Sequence, residues 1–114
     1  MPVTIYHNPR CSKSRQALAI LTDGGASPEV VEYLNAPLDA ASLAVLRDKM
    51  GVETRAMMRT GEALYKELNL KHETNEAKLV QAMAEHPILM ERPVVVAGAK
   101  ALIARPPELA EQFL

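Results

Sequence analysis

Some segments of the chain have hydrophobic residues in short β-rich runs and others have them at helical spacing, and these two patterns predict the strands and helices. Residues 3–7 form a short β-rich run, which the Asn-Pro-Arg sequence at 8–10 interrupts. Residues 11–23 carry apolar side chains at helical spacing, and the two glycines at 24–25 end that helix. A second run, rich in Val and Tyr, occupies residues 29–34. The N-terminal part is therefore predicted to be strand, helix, strand, the parallel crossover unit of an α/β fold.

The middle of the chain shows helical patterns. Asp39 is placed to cap a helix that ends at Gly51. Its apolar face carries Leu43, Leu46 and Met50. Further short helical patterns cover residues 54–58, 62–68 and 75–85. We therefore predict a helical insertion between the N-terminal strand-helix-strand unit and the C-terminal part of the chain.

The C-terminal part returns to strands. Residues 94–96 and 101–103 flank a turn at 97–98, which predicts a hairpin, and residues 105–107 begin a final helix. The predicted order is β-α-β, a helical middle, then β-β-α. This order resembles the thioredoxin/glutaredoxin-like α/β fold with a helical insertion in the middle. At 114 residues, the chain is expected to form one domain, 1–114.

Composition and charge exclude several classes of function. A net charge of −1 argues against a nucleic-acid binder, which would carry a basic excess. The N-terminus lacks the pattern of a signal peptide, and the apolar stretch at 94–99 is too short to cross a bilayer. The single cysteine excludes an internal disulfide and suits a reducing compartment. We expect a cytoplasmic protein with no membrane partner, and neither His72 nor His86 belongs to a metal-binding pattern.

Cys11 combines three features that favour a reactive thiolate. It follows the first predicted strand closely, it begins a helix, and the cationic residues Arg10, Lys13 and Arg15 surround it. The N–H groups and the dipole at a helix N-terminus stabilise negative charge, and so do neighbouring cations. His7 ends the preceding strand near the same turn. A buried cysteine acting as a small hydrophobe is the alternative, but these polar flanks suit a core position poorly.

The residues after Cys11 restrict the classes of reaction that its thiol is expected to carry out. The Cys-x-x-x-Arg pattern that ends at Arg15 is two residues shorter than the tyrosine-phosphatase loop and lacks its glycines, so phosphatase chemistry is disfavoured. The sequence Cys-Ser-Lys-Ser at 11–14 is instead a monothiol version of the Cys-x-x-Cys redox motif. Any adduct at Cys11 must then be resolved by an external thiol. We also predict Ser14 and Arg15 to bind an anionic substrate.

Three further arginines lie at element boundaries: Arg59, Arg92 and Arg105. In thioredoxin-like folds, the proline before the hairpin strand is commonly cis and faces the active-site helix. Because Arg92 directly precedes Pro93, we expect Arg92 to lie near Cys11. The forked donors of a guanidinium group suit a tetrahedral oxyanion.

Four segments of the chain stand together as one pattern: Ile-Tyr-His-Asn-Pro-Arg-Cys-Ser-Lys-Ser-Arg at 5–15, Leu-Tyr-Lys-Glu-Leu at 64–68, Pro-Ile-Leu-Met-Glu-Arg-Pro-Val-Val-Val at 87–96 and Arg-Pro at 105–106. In these segments the chain resembles the glutaredoxin-dependent arsenate reductases of the ArsC family, in their short YfgD-like branch. The resemblance implies that Cys11 attacks arsenate, that glutathione adds to the adduct as co-substrate, and that glutaredoxin closes the cycle to arsenite. It implies no bound cofactor.

The same resemblance assigns roles to the remaining residues. It implies that Arg59, Arg92 and Arg105 form the oxyanion site and that His7 helps to keep the thiol ionised. The longer arsenate reductases have Ala-Cys-Gly-Thr-Ser-Arg where this chain has Arg-Cys-Ser-Lys-Ser-Arg at 10–15, a difference that can alter the choice of oxyanion. Two alternatives stay open: a thiol oxidoreductase acting on another substrate, and a non-enzymatic Spx-like regulator, although such regulators generally carry a second cysteine at position 14.

Overall fold

The computed structural model describes residues 2–114, and these divide into two compact units. The first, here called the sheet unit, combines the chain up to Ala36 with Arg92–Leu114. The second, here called the helical unit, is Pro37–Glu91. The helical unit is thus inserted between the two halves of the sheet unit, as the order of predicted elements required.

The sheet unit contains a four-stranded mixed sheet. Its strands are β1 (Thr4–Tyr6), β2 (Glu29–Val31), β3 (Val94–Ala97) and β4 (Lys100–Ile103), in the spatial order β2-β1-β3-β4. β1 is parallel to β2 and antiparallel to β3, and β3 pairs with β4 as an antiparallel hairpin. Helix α1 (Ser12–Asp23) connects the two parallel strands. This is the thioredoxin-like arrangement that the sequence predicted.

The core of the sheet unit lies between α1 and the sheet. Ser14, Ala17 and Leu21 are fully buried, and their spacing of three and four places them on one face of the helix. Ile5 and Val95, which are paired on neighbouring strands, are likewise fully buried. A 3-10 helix, Pro107–Phe113, packs against α1. Burial of these aliphatic side chains is what fixes α1, and therefore its N-terminus, on the sheet.

The helical unit consists of short helices with well-defined ends. Its elements are α2 (Ala40–Met50), α3 (Ala63–Glu67), α4 (Glu76–Glu85) and the 3-10 helices Thr54–Met57, Leu70–His72 and Pro87–Leu89. Asp39 caps α2 by accepting a hydrogen bond from the Ser42 N–H (2.8 Å), as predicted. Gly51 ends α2 in the left-handed conformation (φ 68°), which glycine adopts without steric cost. Asn75 caps α4 in the same way as Asp39 caps α2.

Several predicted boundaries differ from the observed ones. β1 and β2 are three residues each, shorter than the predicted runs at 3–7 and 29–34. For β2 the reason is a turn that begins at Tyr33 and removes residues 33–34 from the ladder. The pattern at 54–58 forms a 3-10 segment instead of an α-helix, and so does the last helix. Prolines 106 and 107 provide no N–H donors there, and Leu109 bonds to the Pro106 carbonyl three residues back (3.1 Å).

No helix within residues 2–114 is both long and apolar enough to cross a membrane.

Replacement of Leu21 by alanine should test the core of the sheet unit. Leu21 is fully buried, so Leu21→Ala removes buried methyl groups and leaves a cavity. We expect the free energy of unfolding to fall by about 2–5 kcal/mol. Urea denaturation monitored by circular dichroism measures this change. Leu34→Ala is the matched control, since Leu34 is 42% exposed, and its loss should be less than half as large. Equal losses in the two variants would contradict the proposed core.

Candidate active site

Cys11 lies at the N-cap position of α1. Its backbone is extended (φ −93°, ψ 121°), and its carbonyl oxygen accepts the first hydrogen bond of the helix, from the Arg15 N–H (3.0 Å). Its own N–H donates to the Asn8 carbonyl (3.0 Å), which closes a tight turn between β1 and α1. The side chain is 9% exposed. The predicted placement of this thiol at a helix N-terminus is therefore confirmed.

The turn before Cys11 is held by hydrogen bonds from both of its sides. The side-chain oxygen of Asn8 accepts from the Arg10 N–H (3.0 Å), and the Asn8 N–H donates to Ser14 Oγ (3.1 Å). Arg15 Nη1 donates to the Pro9 carbonyl (2.9 Å). The first turn of α1 thus reaches back to hold the loop that carries the cysteine.

The Ser14 hydroxyl is fully buried and contacts His7. Ser14 Oγ lies 2.6 Å from His7 Nδ1, and His7 is itself only 5% exposed. Burial lowers the pKa of His7, with Glu32 opposing this effect and Arg15 reinforcing it. A neutral ring with its proton on Nε2 fits both bonds of Ser14: the hydroxyl donates to Nδ1, and its oxygen accepts from the Asn8 N–H. His7 therefore acts on the cysteine helix through Ser14.

Arg92 and Arg105 come together because of the hairpin. Val94 pairs with Ile103 at the end of the ladder, and the Ala104 N–H extends the pairing to the Pro93 carbonyl (2.9 Å). Continuing this register places residues 92 and 105 opposite each other. Arg105 Nη1 donates to the Arg92 carbonyl (3.1 Å) and lies 4.0 Å from Cys11 Sγ. The peptide bonds Arg92–Pro93 and Arg105–Pro106 are both cis, the first as expected.

Opposing effects act on the Cys11 thiol. Burial raises its pKa, since a charged sulfur loses solvation. The N–H groups of Ser14 and Lys13 oppose this effect, and so do the charges of Arg92 and Arg105; together they hold the pKa of Cys11 below its ordinary value. The thiolate is therefore favoured by the helix end and by both arginines of the hairpin.

The other predicted site residues have contacts of their own. Arg15 is exposed, and its Nη1 binds the loop carbonyl of Pro9. Ser14 presents its backbone N–H to the sulfur, whereas its hydroxyl is used by His7 and Asn8. Arg59 belongs to the helical unit, where its Nη2 forms an ion pair with Glu62 (3.2 Å). The substrate-binding roles of these three residues remain predictions.

Asn8 is a residue that the sequence analysis missed. Asn-Pro-Arg was interpreted only as the interruption that ends β1. In the structure, the N–H, the carbonyl and the side-chain oxygen of Asn8 are all hydrogen-bonded, and two of these bonds reach α1 or Cys11. The signal was available, because asparagine before a turn commonly accepts a bond from the N–H two residues later.

This arrangement can attack an electrophilic oxyanion. It offers a sulfur atom whose pKa is lowered, a guanidinium group at 4.0 Å from it and the N–H groups of a helix N-terminus. Within the described part of the chain, no three or more His, Cys, Asp or Glu side chains are grouped so as to hold a metal ion.

Comparison with known proteins places the chain in a family. The model of the ArsC family matches residues 6–113, nearly the whole sequence. The chain belongs to the ArsC family. Among curated relatives, an uncharacterized protein of Escherichia coli, YfgD, is 56% identical over 108 residues, covering 93% of this chain and 91% of that protein. The resemblance to the YfgD-like branch is thereby confirmed.

Relatives with a named activity are also close to this ArsC chain. A protein of Neisseria meningitidis named arsenate reductase is 47% identical, with 98% of this chain and 97% of that protein covered. The solved structure of an arsenate reductase from Vibrio cholerae has a TM-score of 0.96 and 48% identity, covering 100% of this chain and 98% of that chain. The thioredoxin-like fold with a helical insertion is therefore the fold of this ArsC protein.

Replacement of Asn8 should weaken the stabilisation of the thiolate. Asn8→Ala removes one of the three hydrogen bonds that hold the turn, the one from the Arg10 N–H to the side chain, so Cys11 Sγ is held less firmly relative to the helix N–H groups and Arg105. We expect the pKa of Cys11 to rise, together with a loss of about 1 kcal/mol in stability. Thiolate absorbance at 240 nm followed against pH measures the first effect. The control is Asn35→Ala, an exposed asparagine in the turn after β2, which should leave the thiol pKa unchanged.

The lowered pKa of Cys11 also predicts how stability depends on pH. Because the folded protein favours the thiolate, the contribution of Cys11 to stability is complete above the pKa of an unfolded cysteine, about 8.5. It is lost as the pH falls through the lower folded-state pKa. The difference in unfolding free energy between the wild type and Cys11→Ser should therefore be larger at pH 9 than at pH 6. Urea denaturation at both pH values measures it, and a difference that does not change with pH would refute the thiolate assignment.

Proposed function

We propose that this protein is a glutathione- and glutaredoxin-dependent arsenate reductase acting in the cytoplasm. The observation that carries the proposal is the contact of Arg105 Nη1 with Cys11 Sγ at 4.0 Å, at the N-terminus of a helix that lowers the pKa of the thiol. A nucleophile and an oxyanion-binding group thus lie side by side. Relatives named arsenate reductase support the choice of oxyanion.

In the first step, the Cys11 thiolate attacks the arsenic atom of arsenate. An S–As bond forms, and one oxygen leaves as water after it is protonated. The guanidinium of Arg105, which the Arg92 carbonyl orients, binds oxygens of the arsenate and stabilises the charge that builds up on them. The N–H groups of Lys13 and Ser14 favour the thiolate before attack and the leaving sulfur at the end of the cycle.

An external thiol completes the reduction, because Cys11 is the only cysteine in the chain. Glutathione replaces a second oxygen as water and gives a mixed glutathione–arsenic–Cys11 intermediate. A glutaredoxin thiol then attacks the glutathione sulfur. A disulfide forms between these two sulfurs, and the electron pair of the broken S–As bond reduces As(V) to As(III). Water releases arsenite from Cys11 and restores the thiol.

The supporting residues have separate roles in this proposal. Ser14, bonded to neutral His7, is a positioning residue that fixes the beginning of α1. Arg15 positions the loop through the Pro9 carbonyl. Arg59 is proposed as a third arginine of the oxyanion site, from the family pattern alone.

Arsenate reduction with purified partners tests the proposal. With glutathione, glutaredoxin and an NADPH-linked glutathione reductase, the wild type should consume NADPH in the presence of arsenate. Cys11→Ser should lower kcat/KM by at least ~10³-fold, because the nucleophile is lost. Arg105→Gln should lower it about 10²-fold, the effect of removing one group that stabilises an oxyanion.

The matched control is Lys100→Gln, which removes an exposed positive charge from β4 in the same unit. It should keep the wild-type rate. Mixed-disulfide formation at Cys11 without any dependence on arsenate would instead indicate a thiol oxidoreductase with another substrate. Binding to RNA polymerase with Cys11 dispensable would indicate the Spx-like regulator.

A further inference from the structure

The helical unit contains a cavity of about 550 Å³ whose wall is cationic. It is called here the cationic cavity and is defined by Arg55, Lys66, Lys71 and His72, which line it. Three of these residues lie in elements to which the arsenate chemistry assigns no role: Lys66 in the Leu-Tyr-Lys-Glu-Leu segment, and Lys71 and His72 in the 3-10 helix that follows it. The cavity is open to solvent, and its volume falls in the usual range for small-molecule sites.

Arg55 is fixed by neutral groups. Its Nε donates to the hydroxyl of Tyr65 (2.9 Å), a residue that is only 5% exposed. Its Nη2 donates to the carbonyls of Leu70 (2.9 Å) and Glu73 (2.6 Å). These partners orient the guanidinium but do not neutralise its charge. A half-buried, pre-oriented arginine of this kind loses little side-chain entropy when it binds an anion.

Nearby carboxylates have other partners. Glu76, whose pKa the charge of Arg55 helps to lower, is paired with Arg47 (3.7 Å). The Glu73 carboxylate accepts from the Asn75 N–H (3.1 Å), before the N-terminus of α4. The Glu62 carboxylate pairs with Arg59 (3.2 Å). No aspartate or glutamate is among the described residues that line the cavity. Three cationic side chains and a histidine therefore share one concave surface in a chain whose net charge is −1.

We propose that the cationic cavity binds a small organic anion that carries at least two acidic groups. Arg55 would bind one group through the N–H donors of Nη1, because its Nε and Nη2 hold the protein partners. Lys66 and Lys71 would bind the other group as mobile point charges. The exposed Asn69 and Thr60 supply polar contacts on the same wall. A single tetrahedral oxyanion fills only a small part of about 550 Å³, so the cavity fits an extended ligand.

Titration of the ¹⁵N-labelled protein tests the proposal, with amide chemical shifts as the readout. The probes are citrate for a polycarboxylate and fructose 1,6-bisphosphate for a phosphate ester, with inorganic phosphate as the small anion. One of the two organic anions should shift the amides of Lys66, Asn69 and Lys71 with a submillimolar Kd. The probe that binds more tightly identifies the acidic group, and inorganic phosphate should bind at least tenfold more weakly.

Charge-matched variants separate a site from general attraction. Lys66→Gln/Lys71→Gln should weaken binding at least tenfold, whereas Lys49→Gln/Lys78→Gln, which removes two exposed lysines of α2 and α4, should not. Equal weakening in both double variants, binding of inorganic phosphate as tight as that of the organic anions, or no shifts with either organic probe would overturn the proposal. Cys11→Ser should bind the probe like the wild type, so the result is independent of arsenate reduction.

Discussion

The Ser14 hydroxyl connects the helix that follows Cys11 to the strand that precedes it. It continues the buried face of α1 formed with Ala17 and Leu21, where an unpaired hydroxyl would cost about 1–3 kcal/mol. His7 at the end of β1 and the N–H of Asn8 satisfy it. The buried hydrogen bonds therefore specify how the strand, the turn and the helix meet, and the position of Cys11 depends on that junction.

Opposing effects set the pKa of Cys11. Burial at 9% exposure disfavours the thiolate, so a thiol in this place would be unreactive without compensation. The helix N–H groups and the two arginines of the hairpin together lower the pKa by more than burial raises it. Burial also makes each of these interactions stronger, because solvent screens them less. The pKa of a partly buried thiol with several hydrogen-bond donors around it is consequently set by the protein to a greater extent than the pKa of an exposed thiol.

The register of the β3–β4 hairpin brings two positively charged side chains together. Arg92 and Arg105 are 13 residues apart in sequence, and each stands beside a proline just outside the ladder. Pairing of Val94 with Ile103 brings them face to face, and the Arg92 carbonyl then orients Arg105 toward the sulfur. A shift of one residue in this register would move both side chains away from each other. The same β-sheet that buries the core thus also brings these two arginines to Cys11.

Local patterns of residues specify the order of elements, the place of Cys11 at the start of α1 and the association of arginines with element ends. These features follow from local rules: hydrophobic period, capping residues, and glycine or proline at chain turns. The neutral state of His7, the inward position of the Ser14 hydroxyl and the three hydrogen bonds of Asn8 were not predictable from the pattern. Each of these three features depends on which polar groups are buried next to one another, and the packing of α1 against β1 determines which groups those are. The charged wall around Arg55 likewise joins residues from three short elements, and only the tertiary structure brings them to one surface.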